Sequence, residues 1–481
     1  MTAVDLDTLE FTAERQTEFA ALSGDWNPLH VDPVFSRRTQ GGAPVVHGMN
    51  ILVLCLDALA KHCPNLSVPA QVAAQFVRPI YSGDRARIVL AKQTPDEVRV
   101  DLRVDNVLAA GITLTFGPPA STASPAQTPG SDLFSSTSPN VLSLTDLPGR
   151  SGVVEPASSH TAIRAHVPRT CAWIGDERVA ALLCISRLVG MDCPGLYSLL
   201  ATVTLQLTKV ASPRRLSYSV RSVDDRLRIV SMEVSGLGVQ GTVEALARHP
   251  PIQQPSIGHV ASWVSRGEFT GQRALIIGGS RGIGEVIAKI VAAGGGHPII
   301  TYNAGHEDAE RVAAEIRGVG MRCDVLRYDV RLPAVPQIKT VAAVSTMYYC
   351  ATPAIFKSRT RDFQPDLFAE FLVYYVDGFH AVCRELMSRR LPLSVFFPSS
   401  AALNARPAGL TEYAMAKAAG EILCADLEKA ASDVRVVTAR LPRLRTDQTS
   451  TIVTADSDDV LQVLLPIMRR MSPEPNVKPV A

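Results

Sequence analysis

Asp25 and His30 are five residues apart in a segment that also contains Gly24 and Pro28. Gly and Pro favour a shaped loop over a continuous helix, and such a loop can turn both side chains toward one point. A carboxylate and an imidazole that share a water or a substrate proton suit general acid–base catalysis, because the two groups titrate in different pH ranges. Turns rich in Asp, Asn, Gly and Pro are also common on surfaces, so the spacing alone leaves a surface turn open.

A longer pattern surrounds this pair. From Phe19 to His30 the chain reads Phe-x-x-Leu-Ser-Gly-Asp-x-Asn-Pro-Leu-His, and Ser36 follows after five more residues. This stretch resembles the signature of the MaoC-like (R)-specific enoyl-CoA hydratases. Downstream, Pro44–Met49 is similar to the start of the family's central helix, and Arg78–Asp84 is similar to a following strand turn. The resemblance extends over about residues 10 to 117.

The resemblance implies a hot-dog fold, in which a curved sheet wraps one long helix. It also implies that Asp25 and His30 activate a water that adds to, or leaves from, a 2-enoyl thioester. Asn27, His47 and Gly48 are then expected to bind the substrate. Gly48 suits that position because it has no side chain to block a ligand. The start of a helix also carries partial positive charge that could stabilise a thioester enolate.

Composition limits the remaining possibilities. A chain of 481 residues predicts two to four domains, and a net charge of +2 gives no reason to expect nucleic acid or a membrane surface as a partner. The apolar run Met49–Leu56 is well short of the roughly 18–20 residues of a membrane span. Nine cysteines without a CxxC pair indicate neither a disulfide framework nor a zinc site, and no metal is predicted. The first residues lack a signal peptide's pattern, so a cytoplasmic location is expected.

Two breaks divide the chain. Residues 118–158 are rich in Pro, Ser, Thr and Gly and predict a linker after a first domain over 1–117. A second predicted linker covers 249–268. The expected domains after these linkers cover 159–248 and 269–472.

The segment 159–248 contains a faint repeat of the first domain. Asp84–Val89 recurs as Asp225–Val230, and His47–Met49 has a possible counterpart in Pro194–Leu196. Met191 stands where the repeat would place the catalytic aspartate. We therefore predict a second, degenerate hot-dog unit without an acid–base pair, which helps to shape the acyl tunnel. Chance similarity is the alternative, because six-residue matches are weak evidence.

A glycine-rich turn lies in the last third of the chain. The apolar run Ala274–Ile277 predicts a buried parallel strand, and Glu285–Ala293 predicts a helix. A strand, a glycine turn and a helix in this order bind a pyrophosphate on backbone N–H groups. The residues predicted to bind the cofactor in this turn are Gly278, Ser280, Arg281, Gly282, Ile283 and Gly284.

The following strand predicts which nucleotide is bound. It ends at Tyr302, which is expected beside the ribose, without an Asp or Glu to bind a 2′-hydroxyl. Arg281 instead offers a guanidinium for a 2′-phosphate. The sequence therefore favours NADP(H) over NAD(H).

Ser400, Tyr413 and Lys417 form a third pattern. Tyr413 and Lys417 are four residues apart and share one helix face, where a cation can lower the pKa of a phenol. A lone Tyr-x-x-x-Lys is usually a solvated helix, but here it follows the glycine turn and a serine in the expected order. From about 270 to 450 the chain resembles the short-chain dehydrogenase/reductases, which have an α/β Rossmann fold with a doubly wound parallel sheet.

That second resemblance implies roles for several residues. Tyr413 would donate the proton, Ser400 would orient the carbonyl, and Lys417 would tune the phenol and bind the ribose. The remaining predicted cofactor contacts are Asp329 and Val330 at the adenine and Thr446 at the nicotinamide. Two positions depart from the family: Tyr349-Cys350-Ala351 replaces Asn-Asn-Ala, and Tyr375 stands where a relay asparagine is expected.

Together these patterns predict a multidomain enzyme, an α+β double hot-dog followed by a Rossmann domain. The favoured function is a dehydratase/hydratase joined to an NADPH-dependent 3-oxoacyl reductase, acting on acyl-CoA or acyl-carrier-protein thioesters. The alternative is a hydratase whose Rossmann domain only binds nucleotide or serves as a scaffold. A homodimer or larger homo-oligomer is expected.

Overall fold

The computed structural model of the chain describes residues 3–118, 136–210, 214–357, 360, 362–452 and 456–471. Its contacts divide the chain into two compact units. The first unit is built mainly from residues up to 250, and the second mainly from residues after 250. No helix in the described parts of the chain combines the length and the apolarity that a membrane crossing requires.

Among the described residues of the first unit, ten strands form one antiparallel sheet. These are β1 Val4–Glu10, β2 Gln71–Phe76, β3 Arg85–Gln93, β4 Glu97–Val104, β5 Val107–Thr115, β6 Ser151–Val154, β7 Ser198–Leu207, β8 Leu216–Asp224, β9 Ile229–Gly236 and β10 Val239–Ala247. Their order is β1-β3-β4-β5-β2-β7-β10-β9-β8-β6. The order of the last five strands mirrors that of the first five about the β2–β7 pair. The sheet therefore consists of two halves, a first half up to residue 118 and a second half over 136–250.

Helices pack against this sheet. The described helices are α1 Ala13–Ser23, α2 Pro28–Val31, α3 Pro33–Ser36, α4 Gly48–His62, α5 His160–His166, α6 Pro168–Ile174 and α7 Asp176–Arg187, and a π-helical turn Leu188–Asp192 follows α7. In α4 and α7 most residues are buried in one core shared by both halves. Helices that are apolar on nearly every face belong inside a core. The predicted central helix is thus α4, and α7 is its counterpart in the second half.

The structure corrects the register of the internal repeat. Pro194–Leu196 does not begin a helix: it follows α7 and leads into β7. Asp84–Val89 enters β3, whereas Asp225–Val230 spans the turn between β8 and β9. The position of β3 in the strand order matches that of β8, so these two segments are not equivalent. The predicted double hot-dog fits the sheet, but the short matches used to align its halves were wrong.

Both predicted linkers contain regular structure. Residues 119–135 of the first lie outside the described residues, but Ser151–Val154 forms β6 and pairs with β8, so the predicted end at 158 was wrong. In the second, α8 spans Ile257–Ala261 and buries Ile257 and Val260 in the core of the second unit. Both elements are too short to show a periodic apolar pattern.

The described strands of the second unit form a six-stranded parallel sheet. They are β11 Arg273–Ile277, β12 His297–Tyr302, β13 Asp324–Arg327, β14 Thr346–Tyr349, β15 Leu393–Ser400 and β16 Val434–Leu441. Their order is β13-β12-β11-β14-β15-β16. The direction of winding reverses between β11 and β14, which is where α/β sheets of this kind bind ligands. The predicted doubly wound parallel sheet is confirmed.

Helices flank this sheet within the described residues. After α8 they are α9 Gly282–Ala293, α10 His306–Gly318, α11 Ala334–Ile338, α12 Pro365–Leu372, α13 Gly378–Met387, α14 Ala402–Ala405, α15 Thr411–Ala430 and α16 Val460–Met471. A π-helical turn, Val373–Asp377, joins α12 to α13. Two buried apolar clusters fill the second unit.

Candidate active sites

The loop after α1 holds Asp25 and His30 in place. The helix ends at Gly24, whose φ of +75° lies in the left-handed region. A Cβ at Gly24 would lie 2.8 Å from the Cβ of Ala157, so space as well as backbone conformation favours glycine. Asn27 then caps α2 with its side-chain oxygen, which accepts a backbone hydrogen bond at 3.0 Å. This cap and the glycine turn the chain between the acid and the imidazole.

Asp25 is nearly enclosed, with 2% of its surface exposed. Its Oδ2 accepts a hydrogen bond of 2.7 Å from the hydroxyl of Ser186, and its Oδ1 accepts one of 3.2 Å from the backbone N of Asn27. Burial raises the pKa of Asp25, while the nearby His30 and these hydrogen bonds oppose the rise. A carboxyl group in such surroundings can hold or release a proton closer to neutral pH than an exposed one.

His30 is fixed by a hydrogen bond to the protein backbone. Its Nδ1 lies 2.6 Å from the carbonyl O of Val45. Because a carbonyl oxygen only accepts, Nδ1 carries the proton and Nε2 is left as an acceptor. Burial lowers the pKa of His30, so the ring is neutral near pH 7. A neutral imidazole with an unprotonated Nε2 can act as a general base.

A cavity of about 200 Å³ lies beside these two groups. Asp25, His30 and Gly48 contribute to its wall from the first half, and Ser186 and Gly190 contribute from the second. Most of the remaining wall is apolar and includes Val46, Ile51, Phe76, Leu199, Leu200 and Leu246. An apolar pocket with a few convergent polar groups is typical of a small-molecule site.

Gly48 is the first residue of α4 and lines the cavity. A Cβ on Gly48 would lie 3.1 Å from Leu200 and 3.2 Å from Phe76, so a side chain would fill the space next to the helix start. The absence of a side chain leaves the first turn of α4 open to the cavity. A thioester carbonyl placed there would meet the positive end of the helix.

Asn27 and His47 are not among the residues that line the cavity, and their contact with the substrate stays a prediction. The Asn27 amide is buried and donates to the carbonyl O of Gly190 at 2.7 Å and of Gly195 at 3.2 Å. His47 stacks on His30 with ring centroids 3.9 Å apart, and its Nε2 lies 3.1 Å from the backbone O of Asp25. Both residues hold the loop of Asp25 and His30 in position. The expected absence of a metal here stays a prediction.

Gly190 comes from the π-helical turn of the second half and packs directly against the acid. A Cβ at this position would lie 2.1 Å from Oδ1 of Asp25, much closer than any van der Waals contact, so only glycine leaves Asp25 in place. In the sequence, Gly190 stands out only as the neighbour of Met191 in the faint repeat. Its role and that of Ser186 depend on contacts between residues more than 150 positions apart, and no local pattern reports them.

The second half keeps a carboxylate of its own, but in a different setting. Asp192 follows Met191, is buried, and accepts hydrogen bonds of 2.8 Å from both Arg150 and the hydroxyl of Tyr218. The amide of Asn140 donates to it at 3.0 Å. A carboxylate fixed by three donors is suited to bracing the fold.

In the second unit, the glycine-rich turn connects β11 to α9. Gly278 and Gly282 have φ values of +83° and +57°, and a Cβ at Gly284 would lie 2.2 Å from the carbonyl O of Gly278. The helix start therefore packs tightly on the end of the strand, with Ser280 buried and Ile283 half-buried between them. This turn lies at the reversal of strand order and can present backbone N–H groups to a pyrophosphate.

The other predicted cofactor residues lie around this turn or at the same sheet edge. Arg281 Nη1 lies 3.5 Å from Oδ2 of Asp447, so a 2′-phosphate would have to compete with an internal carboxylate. The methyl group of Thr446 would lie 3.7 Å from a Cβ on Gly282. Tyr302 ends β12, with its ring centroid 5.0 Å from that of His306.

Asp329 and Val330 follow β13. The backbone N of Asp329 donates to the side chain of Gln337 at 2.7 Å, and its carboxylate accepts hydrogen bonds from Arg331. The hydrogen bonds from Arg331 lower the pKa of Asp329. Val330 is buried, and its carbonyl O would lie 2.8 Å from a Cβ on Gly378, so α13 approaches it closely.

Ser400, Tyr413 and Lys417 come together at the end of β15 and on α15. Burial raises the pKa of Tyr413, and a hydrogen bond with Ser400 opposes the rise. Lys417 donates to the carbonyl O of Pro398 at 2.6 Å, and burial lowers the pKa of Lys417 to about 7. Burial thus disfavours the charged form of Lys417, and the role of this lysine in tuning the phenol stays a prediction.

Tyr375 is the residue at which the family resemblance predicts a relay asparagine. It lies in the π-helical turn between α12 and α13 and is fully buried. Its hydroxyl lies 2.5 Å from the Thr352 hydroxyl, and the Lys417 Nζ lies 4.0 Å from the centroid of its ring. Its ring also meets that of Tyr413 edge-on at 5.7 Å. An aromatic ring therefore fills space beside the two groups that would move a proton.

Comparison with known proteins matches residues 2–109 to the family described as MaoC like domain, and residues 272–457 to short chain dehydrogenase. The chain is 39% identical over 108 residues to an (R)-specific enoyl-CoA hydratase from Aeromonas caviae. The matched region covers 22% of this chain and 75% of that protein.

Other similarities cover smaller shares. The peroxisomal hydratase-dehydrogenase-epimerase of Saccharomyces cerevisiae is 28% identical over 102 residues, which is 20% of this chain and only 11% of that protein. A solved short chain dehydrogenase from Burkholderia cenocepacia, in complex with NADP, is 26% identical, covers 38% of this chain and 78% of that chain, and has a TM-score of 0.35.

Proposed function

We propose, on the premise that this chain belongs to the MaoC-like dehydratase family and carries a short-chain dehydrogenase domain, that its first unit adds water reversibly to trans-2-enoyl thioesters. The observation that carries the proposal is the placement of His30, its Nδ1 fixed on the Val45 carbonyl, beside Asp25 in a mainly apolar cavity that Gly48 also lines. The product would be an (R)-3-hydroxyacyl thioester, with coenzyme A or an acyl carrier protein as the thiol.

In this reaction the thioester carbonyl would lie against the first turn of α4, at Gly48. His30 Nε2 would accept a proton from a water held between His30 and Asp25 as the water oxygen bonds to C3 of the enoyl group. The electron pair of the double bond would move onto the carbonyl oxygen, where the helix start stabilises the enolate. A proton returned from the same two side chains to C2 would complete the addition and leave the pair unchanged.

For the second unit we propose reduction of a 3-oxoacyl thioester. The glycine-rich turn, Ser400, Tyr413 and Lys417 support this, and NADPH would supply the hydride when bound. Tyr413 would give its proton to the carbonyl oxygen that becomes the 3-hydroxyl, and Ser400 would hold that oxygen by a hydrogen bond. The product is the substrate for dehydration, so the two activities on one chain would act in sequence and raise the local concentration of the intermediate.

A second candidate for this unit is nucleotide binding without turnover. It is favoured by the ring of Tyr375 beside Tyr413 and by the bond from Lys417 to Pro398, which together occupy the surroundings of the proton donor. Arg281 supports NADPH over NADH in either case, although it is already near Asp447. A cytoplasmic location and a homo-oligomeric state stay predictions.

The test uses the purified full chain with two substrates. Crotonyl-CoA reports hydration by the loss of its conjugated thioester absorbance, and chiral analysis should give mainly the (R) product. Acetoacetyl-CoA with NADPH reports reduction. A mainly (S) product would contradict the hydratase proposal. NADPH that binds but is not oxidised, across several chain lengths and both carriers, would favour the nucleotide-binding alternative.

A further inference from the structure

Arg248 directly follows β10, the strand whose Leu246 lines the cavity of the first unit. The β10–β7 ladder ends with Ala247 opposite Ser198, and the backbone N of Arg248 donates to the carbonyl O of Tyr197 at 2.7 Å, which continues the ladder by one residue. Side chains alternate between the two faces along a strand. Arg248 therefore lies on the same face as Leu246, which lines the cavity, and about 7 Å further along the strand.

The guanidinium of Arg248 has donors without acceptors. Its Nε and Nη2 are buried and have no hydrogen-bond partner among the described residues. Burial is the main cause of the lowered pKa of His30, and the charge of Arg248 adds to it, so Arg248 lies within electrostatic range of the proposed base. Other arginines of the same half are paired, for example Arg150 with Asp192 and Arg221 with Glu233. A buried cation without an acceptor costs free energy, and such costs occur mainly at functional sites.

The two unpartnered donors identify the chemistry of the missing partner. Nε and Nη2 lie on one edge of the planar guanidinium, and their N–H bonds point in parallel. This edge matches two oxygens of one carboxylate or phosphate. A water or a single carbonyl oxygen would not accept from both donors with the same geometry.

We propose that Arg248 binds an anionic oxygen group of the thioester substrate and thereby selects among thioesters. The proposal rests on the hydratase function proposed above. Two sources share this chemistry: a carboxylate on the acyl chain, and a phosphate of the thiol carrier. Arg248 comes from the second half, which would then supply substrate selection while the first half supplies the acid–base pair.

The test compares Arg248→Met with the parent protein in binding three saturated thioesters by calorimetry. Butyryl-CoA has carrier phosphates only, glutaryl-CoA adds an acyl carboxylate, and the butyryl thioester of N-acetylcysteamine has neither. A loss of about 10-fold or more confined to glutaryl-CoA would identify the acyl carboxylate, on the scale of a charge-assisted hydrogen bond. A similar loss for both CoA thioesters, with the N-acetylcysteamine thioester unaffected, would identify the carrier phosphate.

The control is Arg221→Met, which removes an exposed guanidinium from the same half and should bind all three thioesters as the parent does. Arg248→Met should unfold at the same temperature as the parent or at a higher one, because a buried unpaired charge has been removed. Equal affinities in variant and parent, an equal loss for all three thioesters, or a lower unfolding temperature would overturn the proposal. Normal binding without hydration of crotonyl-CoA would refute the hydratase function instead.

Discussion

The two candidate active sites differ in what surrounds their reactive groups. At the first, Ser186 donates a hydrogen bond to Asp25 and His30 donates one to Val45, and Asp25 and His30 both line a cavity. At the second, Lys417 is bonded to a backbone carbonyl and covered by an aromatic ring. Both motifs bring their residues together. The spacing of residues in the sequence brings a set of reactive groups together. The residues packed around those groups then determine which protons they can transfer.

The largest expected effect is the loss of hydration on removing the acid or the base. Asp25→Asn and His30→Ala should each lower kcat/KM for crotonyl-CoA by ~10² to 10⁴, the scale for a lost general acid or base. Asp96→Asn, in an exposed turn of the same half, should leave the rate unchanged. Normal hydration in both active-site variants would show that neither Asp25 nor His30 is the acid or the base.

The next effect concerns the second site. Tyr413→Phe should lower NADPH-dependent acetoacetyl-CoA reduction by ~10² or more, because it removes the proton donor. Tyr375→Asn should raise the rate of the parent protein, since it opens space beside Tyr413 and restores the residue type expected from the family. Reduction that persists in Tyr413→Phe would show that another residue donates the proton. A lower rate in Tyr375→Asn would show that the ring supports the site.

A smaller effect tests the contribution of the second half to the first site. Gly190→Ala must displace Asp25, because its Cβ would lie 2.1 Å from Oδ1. We expect hydration to fall by about 10-fold to 100-fold and the free energy of unfolding to fall by about 1–3 kcal/mol, as for other overpacked sites. Gly258→Ala is the control, since its Cβ would meet nothing within 4 Å. Parent-like hydration by Gly190→Ala would contradict the contact.

The smallest expected effect is a shift in pH dependence. The hydrogen bond from Ser186 lowers the pKa of Asp25, so Ser186→Ala should raise that pKa further. If the carboxylate form of Asp25 is the active one, the acid limb of kcat/KM moves to higher pH, with a loss of about 10-fold or less at neutral pH. An acid limb that stays in place would assign it to a different group.

The sequence was most informative where the chemistry is local. Asp25 and His30 share one loop, Gly48 starts the helix after it, and the glycine turn lies between one strand and one helix, so short patterns were enough to predict these features. Both family resemblances were confirmed.

Contacts across the sheet could not be predicted in this way. Ser186 and Gly190 reach the first site through tertiary structure, and no motif surrounds them. Asn27 belongs to the signature, and His47 precedes the glycine of the helix start, but the structure uses their polar atoms to bind backbone groups. Similarity identifies such positions without telling whether a side chain touches a ligand or its neighbours.

The two mirrored halves of the sheet belong to one chain, and the first site is assembled from both of them. Ser186 and Gly190 are on the same polypeptide as Asp25, so the neighbours of the acid arrive by an intramolecular step with a high effective concentration. Two separate subunits that shared a site in this way would come apart on dilution and lose it. In this chain the acid keeps its neighbours however dilute the protein becomes. In a symmetric pair of identical subunits, every substitution appears at both positions. In this chain a substitution in the second half leaves the first half unchanged.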